Sequence, residues 1–219
     1  MDISRALAYI TDDDDWLQKL LIGGLLSLIP VVGQIYALGY ATQVLKNIIQ
    51  GSETPLPDLT EDFGNKLLQG LLVTVISLIY FLPLILVAGT SGIGIGIMAS
   101  SMDADVAGIL AAITGSCVGL VALALGIIAG LFLPYAWSIY AESGQFGDAF
   151  KLNKILSMIK ANLGQTLLTL LVIIVLGIVA SSVGSAVCGI GVAFTTFYAN
   201  LVTSFLYGKL YRQAQAKTL

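Results

Sequence analysis

Four long stretches without a charged side chain limit what this chain can fold into. They cover residues 20–45, 67–102, 106–141 and 161–208 and are 26, 36, 36 and 48 residues long. A helix rises about 1.5 Å per residue, so about 20 apolar residues cross a hydrocarbon core of roughly 30 Å. Of all residues 57% are hydrophobic and only 11% charged, whereas soluble domains carry about 25% charged residues. The sequence therefore predicts an all-α, polytopic helical membrane protein.

The positions of the cations predict how the chain is oriented. All ten lie in four places along the chain: Arg5 and Lys19; Lys46 and Lys66; Lys151, Lys154 and Lys160; Lys209, Arg212 and Lys217. By the positive-inside rule these places are cytoplasmic, and the loops near residues 89–105 and 181–189 lie outside. Both termini are then cytoplasmic. Residues 17–49 begin and end on the same side, so they cross twice or not at all.

The first apolar stretch is predicted to form a short helical hairpin over residues 17–49. Its halves, residues 17–30 and 34–49, hold 14 and 16 residues, and each is short for a full crossing. Pro30 and Gly33 interrupt the run, since proline lacks an N–H and glycine tolerates a turn. The hairpin is either re-entrant or a pair of short spans. A single kinked helix is the alternative, and it would place Lys66 outside.

The rest of the chain is expected to add four long transmembrane helices at residues 67–88, 106–140, 163–183 and 190–208. Residues 1–219 then form a single helical membrane domain. Between the second and third long helix, residues 148–160 have an amphipathic pattern and predict a cytoplasmic interfacial helix. Its Lys151, Lys154 and Lys160 would contact anionic lipid at the membrane surface. An ordinary amphipathic connector is the alternative.

A stripe of glycines marks the helix predicted at residues 106–140. Five glycines follow spacings of 7, 4, 7 and 4 on one helical face: Gly108, Gly115, Gly119, Gly126 and Gly130. Membrane helices associate where small residues let their backbones approach. We call these five residues the glycine stripe and predict that it packs against another helix. That helix belongs either to the same chain or to another subunit.

The residue inventory argues against catalysis and against metal or cofactor sites. The chain has no histidine, which removes the commonest proton shuttle and metal ligand. Cys117 and Cys188 lie in apolar stretches without a CxxC spacing, so they are either buried thiols or a bridge between two spans. The only conceivable catalytic acids, Glu142 and Asp148, have no recognisable partner. The net charge of −3 disfavours a nucleic-acid partner.

Intramembrane ionisable residues are the usual mark of ion-coupled transport, and the predicted spans contain none. The sequence therefore favours a non-catalytic scaffold or an accessory subunit, with the lipid bilayer and a membrane protein or a second copy as partners. The alternative is a small-solute channel or permease. Its candidate pore or hairpin-break residues are Pro30, Gly33, Gln34 and Asn200.

Several short motifs resemble a prokaryotic membrane-protein family called domain of unknown function 4013. The N-terminal block carries most of the resemblance. The matching pieces are Asp2-Ile3, Arg5-Ala6-Leu7, Asp15-Trp16-Leu17, Lys19-Leu20-Leu21-Ile22-Gly23-Gly24, Pro30, Gly39-Tyr40, Pro55-Leu56-Pro57, Phe197-Tyr198-Ala199, Leu206-Tyr207-Gly208 and Tyr211-Arg212. The resemblance covers essentially the whole chain and implies the cytoplasmic membrane of a bacterium or archaeon. It supplies no activity and no catalytic residue.

Overall fold

The computed structural model describes residues 3–52, 55–101, 103–186 and 190–218 and contains no strand in these ranges. The prediction of an all-α chain is confirmed. Two 3₁₀ turns, Tyr9–Asp12 and Phe146–Phe150, accompany the α-helices. The α-helices, in chain order, are α1 Ile3–Ala8, α2 Trp16–Ser27, α3 Val32–Gln50, α4 Phe63–Ser101, α5 Ala104–Ser143, α6 Leu152–Ala161, α7 Leu163–Ala186 and α8 Ile190–Thr218.

Helices α4, α5, α7 and α8 are long and apolar enough to cross a membrane. Helices α4 and α5 have 39 and 40 residues and extend beyond the predicted ranges 67–88 and 106–140. An apolar segment in lipid must satisfy its backbone groups internally, so the glycine-rich residues after position 88 remain helical. Helix α4 ends close to Asp103, which is the first charged residue after Lys66. Helix α5 is followed by Gly144, whose φ of 70° is in the left-handed region.

The N-terminal apolar stretch consists of α2 and α3 with a break between Ser27 and Val32. At the break, Val31 has a φ of 64°, and a Cβ on Gly33 would overlap the carbonyl of Leu26. The Gln34 amide nitrogen donates to the Ser27 carbonyl at 2.9 Å and closes the turn. Helix α3 has 19 residues, about 28 Å. Whether this pair of helices spans the bilayer or re-enters it stays a prediction.

The chain divides into two compact units. The first contains the residues up to Ile76 and those from Pro134 onward, and the second contains Ser77–Leu133. Both boundaries fall inside continuous helices, so no linker composition marks them in the sequence. The second unit consists of the adjoining parts of α4 and α5, where the rings of Tyr80 and Phe132 lie 6.3 Å apart.

The first unit holds the hydrophobic core. Helix α8 is its centre and packs against α2, α3, α6 and α7. Tyr40 and Phe197 meet there with ring centroids 5.6 Å apart, and Tyr9 stacks on Phe205 at 4.6 Å. The tyrosine hydroxyls in this core have backbone partners: Tyr9 donates to the Leu201 carbonyl at 2.8 Å. Burial of the rings with satisfied hydroxyls fixes the N-terminal helices on α8.

Candidate functional site

Residues 55–61, between α3 and α4, form a segment that we call the strap. Three side chains of α3 donate to its alternate carbonyls. Tyr36 donates to Leu59, Tyr40 to Pro57 at 3.0 Å, and Asn47 to Pro55 at 2.9 Å. Alternate carbonyls lie on the same side of an extended chain. Leu59 and Pro57 are two extended residues apart, about 6.6 Å, and their donors Tyr36 and Tyr40 are four helical residues apart, about 6 Å. The strap therefore runs antiparallel along α3.

Three further strap carbonyls, those of Leu56, Asp58 and Glu61, accept from lysines on α2 and α4. Lys19 of α2 donates to Leu56 at 3.3 Å and pairs with Asp13 at 2.7 Å. The ammonium of Lys66, a residue only 1% exposed, donates to the carbonyls of Asp58 and Glu61. A buried ammonium needs such partners because leaving it unsatisfied is costly. Two of the ten cations are thus used to hold the strap.

The strap contains the sequence Pro55-Leu56-Pro57, and these residue types suit a segment that lies along α3. The two prolines have no backbone N–H, so only their carbonyls need partners. Leu56 and Leu59 are each 5% exposed and join the core beside Tyr36. The strap is therefore a structural element that covers α3.

A cavity of about 220 Å³ lies beside the start of the strap, and we call it the basic cavity. It is bordered by α1, the end of α3 and the C-terminal part of α8. Its lining residues are Arg5, Tyr9, Asp12, Ile48, Gly51, Ser52, Pro55, Phe205, Lys209 and Arg212. Among the described residues that line this cavity, three carry a positive charge and one carries a negative charge.

The two α8 cations of the basic cavity are held at its rim. The Arg212 guanidinium lies 3.5 Å from the Ile48 carbonyl, and the Lys209 ammonium lies 5.5 Å above the Phe205 ring. Within the described ranges, no carboxylate lies within 4 Å of either charge. Both cations keep donors available for a ligand.

The two acids considered for catalysis, Glu142 and Asp148, make structural contacts. Glu142 accepts from the Tyr211 hydroxyl at 2.6 Å and from the Gln215 amide at 3.0 Å. Asp148 pairs with Lys151 at 2.8 Å, and this hydrogen bond lowers the pKa of the Asp148 carboxyl. These contacts link α5 to α8 and close the turn before α6. The described residues contain no group of three or more His, Cys, Asp or Glu side chains arranged for a metal ion.

The glycine stripe lies in the second unit. Among the described residues, a Cβ placed on Gly108, Gly115, Gly119 or Gly126 would meet no atom within 4 Å apart from its flanking residues and the nearby backbone of α5. Gly130 lies on the same helix, α5. Cys117 is an exposed free thiol between two of these glycines, while Cys188 is outside the described residues. In the part of the chain that the structure describes, four of the five stripe glycines thus have no close neighbour from another helix.

The three predicted membrane-surface lysines lie on or next to α6, which begins at Leu152 after a 3₁₀ turn. Lys151, Lys154 and Lys160 are all exposed. Leu152 and Leu156 are 54% and 41% exposed on the same short helix, whereas Ile155, Met158 and Ile159 are buried. The Lys154 ammonium also lies 3.5 Å from the Tyr211 hydroxyl. An exposed mixture of leucine and lysine is what an interfacial helix needs.

The candidate pore residues have local structural partners. Pro30 is exposed at the α2–α3 turn, and the Gln34 amide is bonded to Ser27 within that turn. Asn200, half-buried on α8, accepts the Ser204 hydroxyl at its backbone carbonyl at 2.9 Å. The Gln34 contact closes a turn, and the Asn200 contact is a backbone contact in the middle of α8.

The close helix contacts made by other glycines were not predicted. Helices α3 and α4 cross at Gly39 and Gly70, where a Cβ on either residue would collide with the backbone of the other helix. Gly23 leaves room for the Phe197 ring, and Gly208 lies against Ile48. These glycines lack a repeated spacing, so a search for periodic stripes misses them. The available signal was the presence of Gly23, Gly39 and Gly208 in the motifs that carry the family resemblance.

A family model described as "Protein of unknown function (DUF4013)" matches residues 22–189. The chain belongs to this family. The match includes the strap and the crossing of α3 with α4, whereas Arg5, Lys209 and Arg212 of the basic cavity lie outside the matched residues. No curated protein and no solved structure matches the chain.

Proposed function

We propose that this chain is a non-catalytic scaffold or accessory subunit of a membrane assembly. The observation that carries the proposal is the exposure of α5. In its most apolar stretch only 6% of the residues are buried, and four of its five stripe glycines have open space where a Cβ would be. A long apolar helix with an open face of small residues has the features of a helix that packs against a partner.

The physical argument concerns what glycine does in lipid. Lipid tails are as apolar as leucine, so burial of apolar surface gives no net drive for two membrane helices to associate. Close backbone approach supplies the attraction instead, and a glycine stripe allows it. In the same region Leu120 is 71% exposed, so the neighbouring face is left for lipid. The stripe then takes a helix from a partner protein or from a second copy.

The first unit supports a binding role because its polar groups are used to hold helices together. The strap engages Lys19 and Lys66, and Glu142 engages Tyr211. We infer that the unit is a rigid platform in the cytoplasmic membrane of a prokaryote. The cations at the end of α8 and on α1 favour cytoplasmic termini.

Bulky substitutions in the stripe test this proposal. In Gly119→Leu, the new side chain blocks backbone approach, and we expect loss of the complex from native membranes extracted in mild detergent. Ala124→Leu is the matched control, because Ala124 is exposed about 140° around the helix from Gly119. The readout is the mass and composition of the affinity-purified complex.

Two results would contradict the scaffold proposal. One is a wild-type monomer with no co-purifying protein and the same mass as Gly119→Leu. The other is solute flux into reconstituted liposomes above that of empty vesicles, which would favour the channel or permease alternative.

A further inference from the structure

A cavity of about 240 Å³ lies between the C-terminal end of α3, the start of α4 and the C-terminal end of α5, and we call it the three-helix cavity. We propose that it binds the headgroup of an anionic phospholipid. All its described lining residues belong to the first unit, and none of them lines the basic cavity. The glycine stripe lies in the second unit, so the lipid site and the scaffold role are tested separately.

Each of the three helices lines the cavity with one face. On α3 the lining residues Thr42 and Lys46 are one turn apart, and Tyr140 lines the cavity from α5. On α4 the lining residues follow the i, i+3, i+4, i+7 spacing of a single face. These α4 residues are Asn65, Leu68, Gln69 and Leu72. They extend over about 10 Å of helix, so the cavity reaches from the helix ends about two turns into the apolar segments.

The cavity offers one cation to a ligand. Lys46 is the only charged residue among the described lining residues. No described carboxylate lies within 4 Å of its ammonium, and it makes no hydrogen bond to a described residue. Of the acids at the same helix ends, Glu142 is bonded to Tyr211 at 2.6 Å, and Asp62 does not line the cavity. The Lys46 ammonium is thus available to an anionic group.

Three neutral polar side chains of the lining also lack a partner. Tyr140 is only 3% exposed, and its hydroxyl makes no hydrogen bond among the described residues. It is not one of the fully enclosed side-chain atoms without a partner in the described part of the chain, so the hydroxyl opens to the cavity. The amides of Asn65 and Gln69 likewise make no hydrogen bond to a described residue. Polar groups at the edge of an apolar segment are costly to leave unsatisfied.

A phospholipid satisfies both kinds of lining. Its phosphodiester carries a negative charge for Lys46 and several acceptor oxygens for the neutral donors, and pockets between membrane helices bind such headgroups. Leu68 is 54% exposed and Leu72 is half-buried, so the α4 wall also offers apolar surface to an acyl chain. A soluble anion would leave that apolar surface uncovered. The positive choline group of phosphatidylcholine makes this lipid a poorer partner for Lys46 than phosphatidylglycerol.

The walls of the cavity are fixed without a ligand. The Trp137 indole N–H donates to the Thr42 hydroxyl at 2.8 Å, which holds α5 against α3 three residues from Tyr140. Gly39 and Gly70 hold α3 against α4 by direct backbone contact. A site that is formed before the ligand arrives lowers the entropic cost of binding.

The test measures lipid binding to the full chain in non-ionic detergent. Phosphatidylglycerol and phosphatidylcholine with the same acyl chains are titrated separately, and native mass spectrometry gives the dissociation constant of the first bound lipid. Glycerophosphoglycerol, the same headgroup without acyl chains, is the soluble probe and competes against phosphatidylglycerol. Thermal unfolding shows whether each variant folds.

The variants separate this site from general attraction of anionic lipid to lysines. Lys46→Gln removes the cavity charge, and Lys46→Arg keeps it. Lys160→Gln is the matched control, because Lys160 is also exposed but lies on α6. Tyr140→Phe removes the cavity hydroxyl, and Tyr207→Phe removes the hydroxyl of another buried tyrosine. If Tyr140→Phe unfolds, the exposed Lys46 still decides the test.

We expect the wild type to bind phosphatidylglycerol more tightly than phosphatidylcholine. Lys46→Gln should weaken phosphatidylglycerol binding about tenfold or more, the loss typical of a charge-assisted hydrogen bond. Lys46→Arg and Lys160→Gln should retain most of the affinity, and Tyr140→Phe should bind more weakly than Tyr207→Phe. An unchanged affinity in Lys46→Gln, or an equal loss in Lys160→Gln, would overturn the site. Binding of glycerophosphoglycerol as tight as that of the intact lipid would overturn its assignment to a phospholipid.

Discussion

Gly39 of α3 and Gly70 of α4 lie backbone against backbone. A Cβ on Gly39 would lie 3.0 Å from the Gly70 nitrogen, and a Cβ on Gly70 would lie 2.8 Å from the Gly39 nitrogen. The carbonyl oxygens of Lys66 and Ile35 would be closer still. Backbone atoms cannot rotate away as a side chain can. The crossing therefore sets how closely α4 approaches α3 and brings Lys66 beneath the strap.

Substitution at this crossing should destabilise the first unit. In Gly39→Ala or Gly70→Ala, the added methyl group forces the two helices apart, and we expect a cost of about 1–3 kcal/mol or more in the free energy of unfolding. Gly64→Ala is the control on the same helix, because a Cβ at Gly64 would meet no described residue within 4 Å outside its own helical turn. Thermal unfolding in detergent provides the measurement. A melting temperature of Gly39→Ala equal to that of Gly64→Ala would contradict the backbone contact.

Removal of a single hydroxyl should loosen the strap. Tyr40→Phe leaves the ring in the core but deprives the Pro57 carbonyl of its donor. Pro57 is half-buried, so the loss should lie at or below the roughly 1–3 kcal/mol that an unsatisfied buried acceptor costs. We expect faster proteolytic cleavage within residues 55–61, measured by mass spectrometry of the fragments. Tyr207→Phe, at a buried tyrosine that donates no hydroxyl hydrogen bond among the described residues, should cleave like the wild type. Equal cleavage rates of all three proteins would argue against the Tyr40 hydrogen bond.

The strap should become less ordered at acidic pH. Hydrogen bonds from the Thr60 backbone N–H and hydroxyl lower the pKa of the Asp58 carboxyl below its usual 3.8. A lowered folded-state pKa stabilises the fold above the unfolded value, and that contribution is lost as the pH falls through the folded-state pKa. Amide hydrogen exchange at Thr60 should therefore accelerate below about pH 4, beyond the intrinsic pH effect. Asp58→Asn should remove this dependence, and an unchanged profile in the variant would refute it.

Glu142 and Tyr211 should couple energetically across α5 and α8. Their hydrogen bond is 2.6 Å long and charge-assisted, a type that contributes about 1.5–3 kcal/mol. In a double-mutant cycle of Glu142→Gln and Tyr211→Phe, we expect the two losses to be non-additive by about 1 kcal/mol, measured as unfolding free energies. Glu61→Gln combined with Tyr211→Phe provides an additive comparison. Additivity of the Glu142 pair would mean that this contact contributes little to stability.

The strap shows how far sequence reasoning reaches. Pro55, Leu56 and Pro57 are visible as a motif, and prolines predict a non-helical segment between two helices. Nothing local indicates that Tyr36, Tyr40 and Asn47 donate to alternate carbonyls of that segment. Tyrosines in an apolar helix are equally compatible with an aromatic belt at the membrane interface. The partner of each hydroxyl depends on how the chain folds back, which no short-range pattern records.

The same limit applies to the basic cavity. From the sequence, Arg5, Lys209 and Arg212 are only orientation signals, because Arg5 lies more than 200 residues away from Lys209 and Arg212 along the chain. The packing of α1 and α3 against α8 brings them to one concavity. The position of a charge along the chain predicts which side of a membrane its segment occupies. It does not indicate which distant charges come together in the folded chain.

Hydrophobicity and charge placement alone determined that the chain is helical and has four helices able to cross a bilayer. Lipid offers no hydrogen bonds to the backbone, so a long apolar segment has almost no alternative to a helix. Tertiary structure alone decided which glycines bring backbones together. Gly39 and Gly70 do so, whereas the regularly spaced Gly115 and Gly119 meet no other helix among the described residues. Helix formation is local and follows from composition, whereas close approach depends on the shape of two surfaces that meet only after folding.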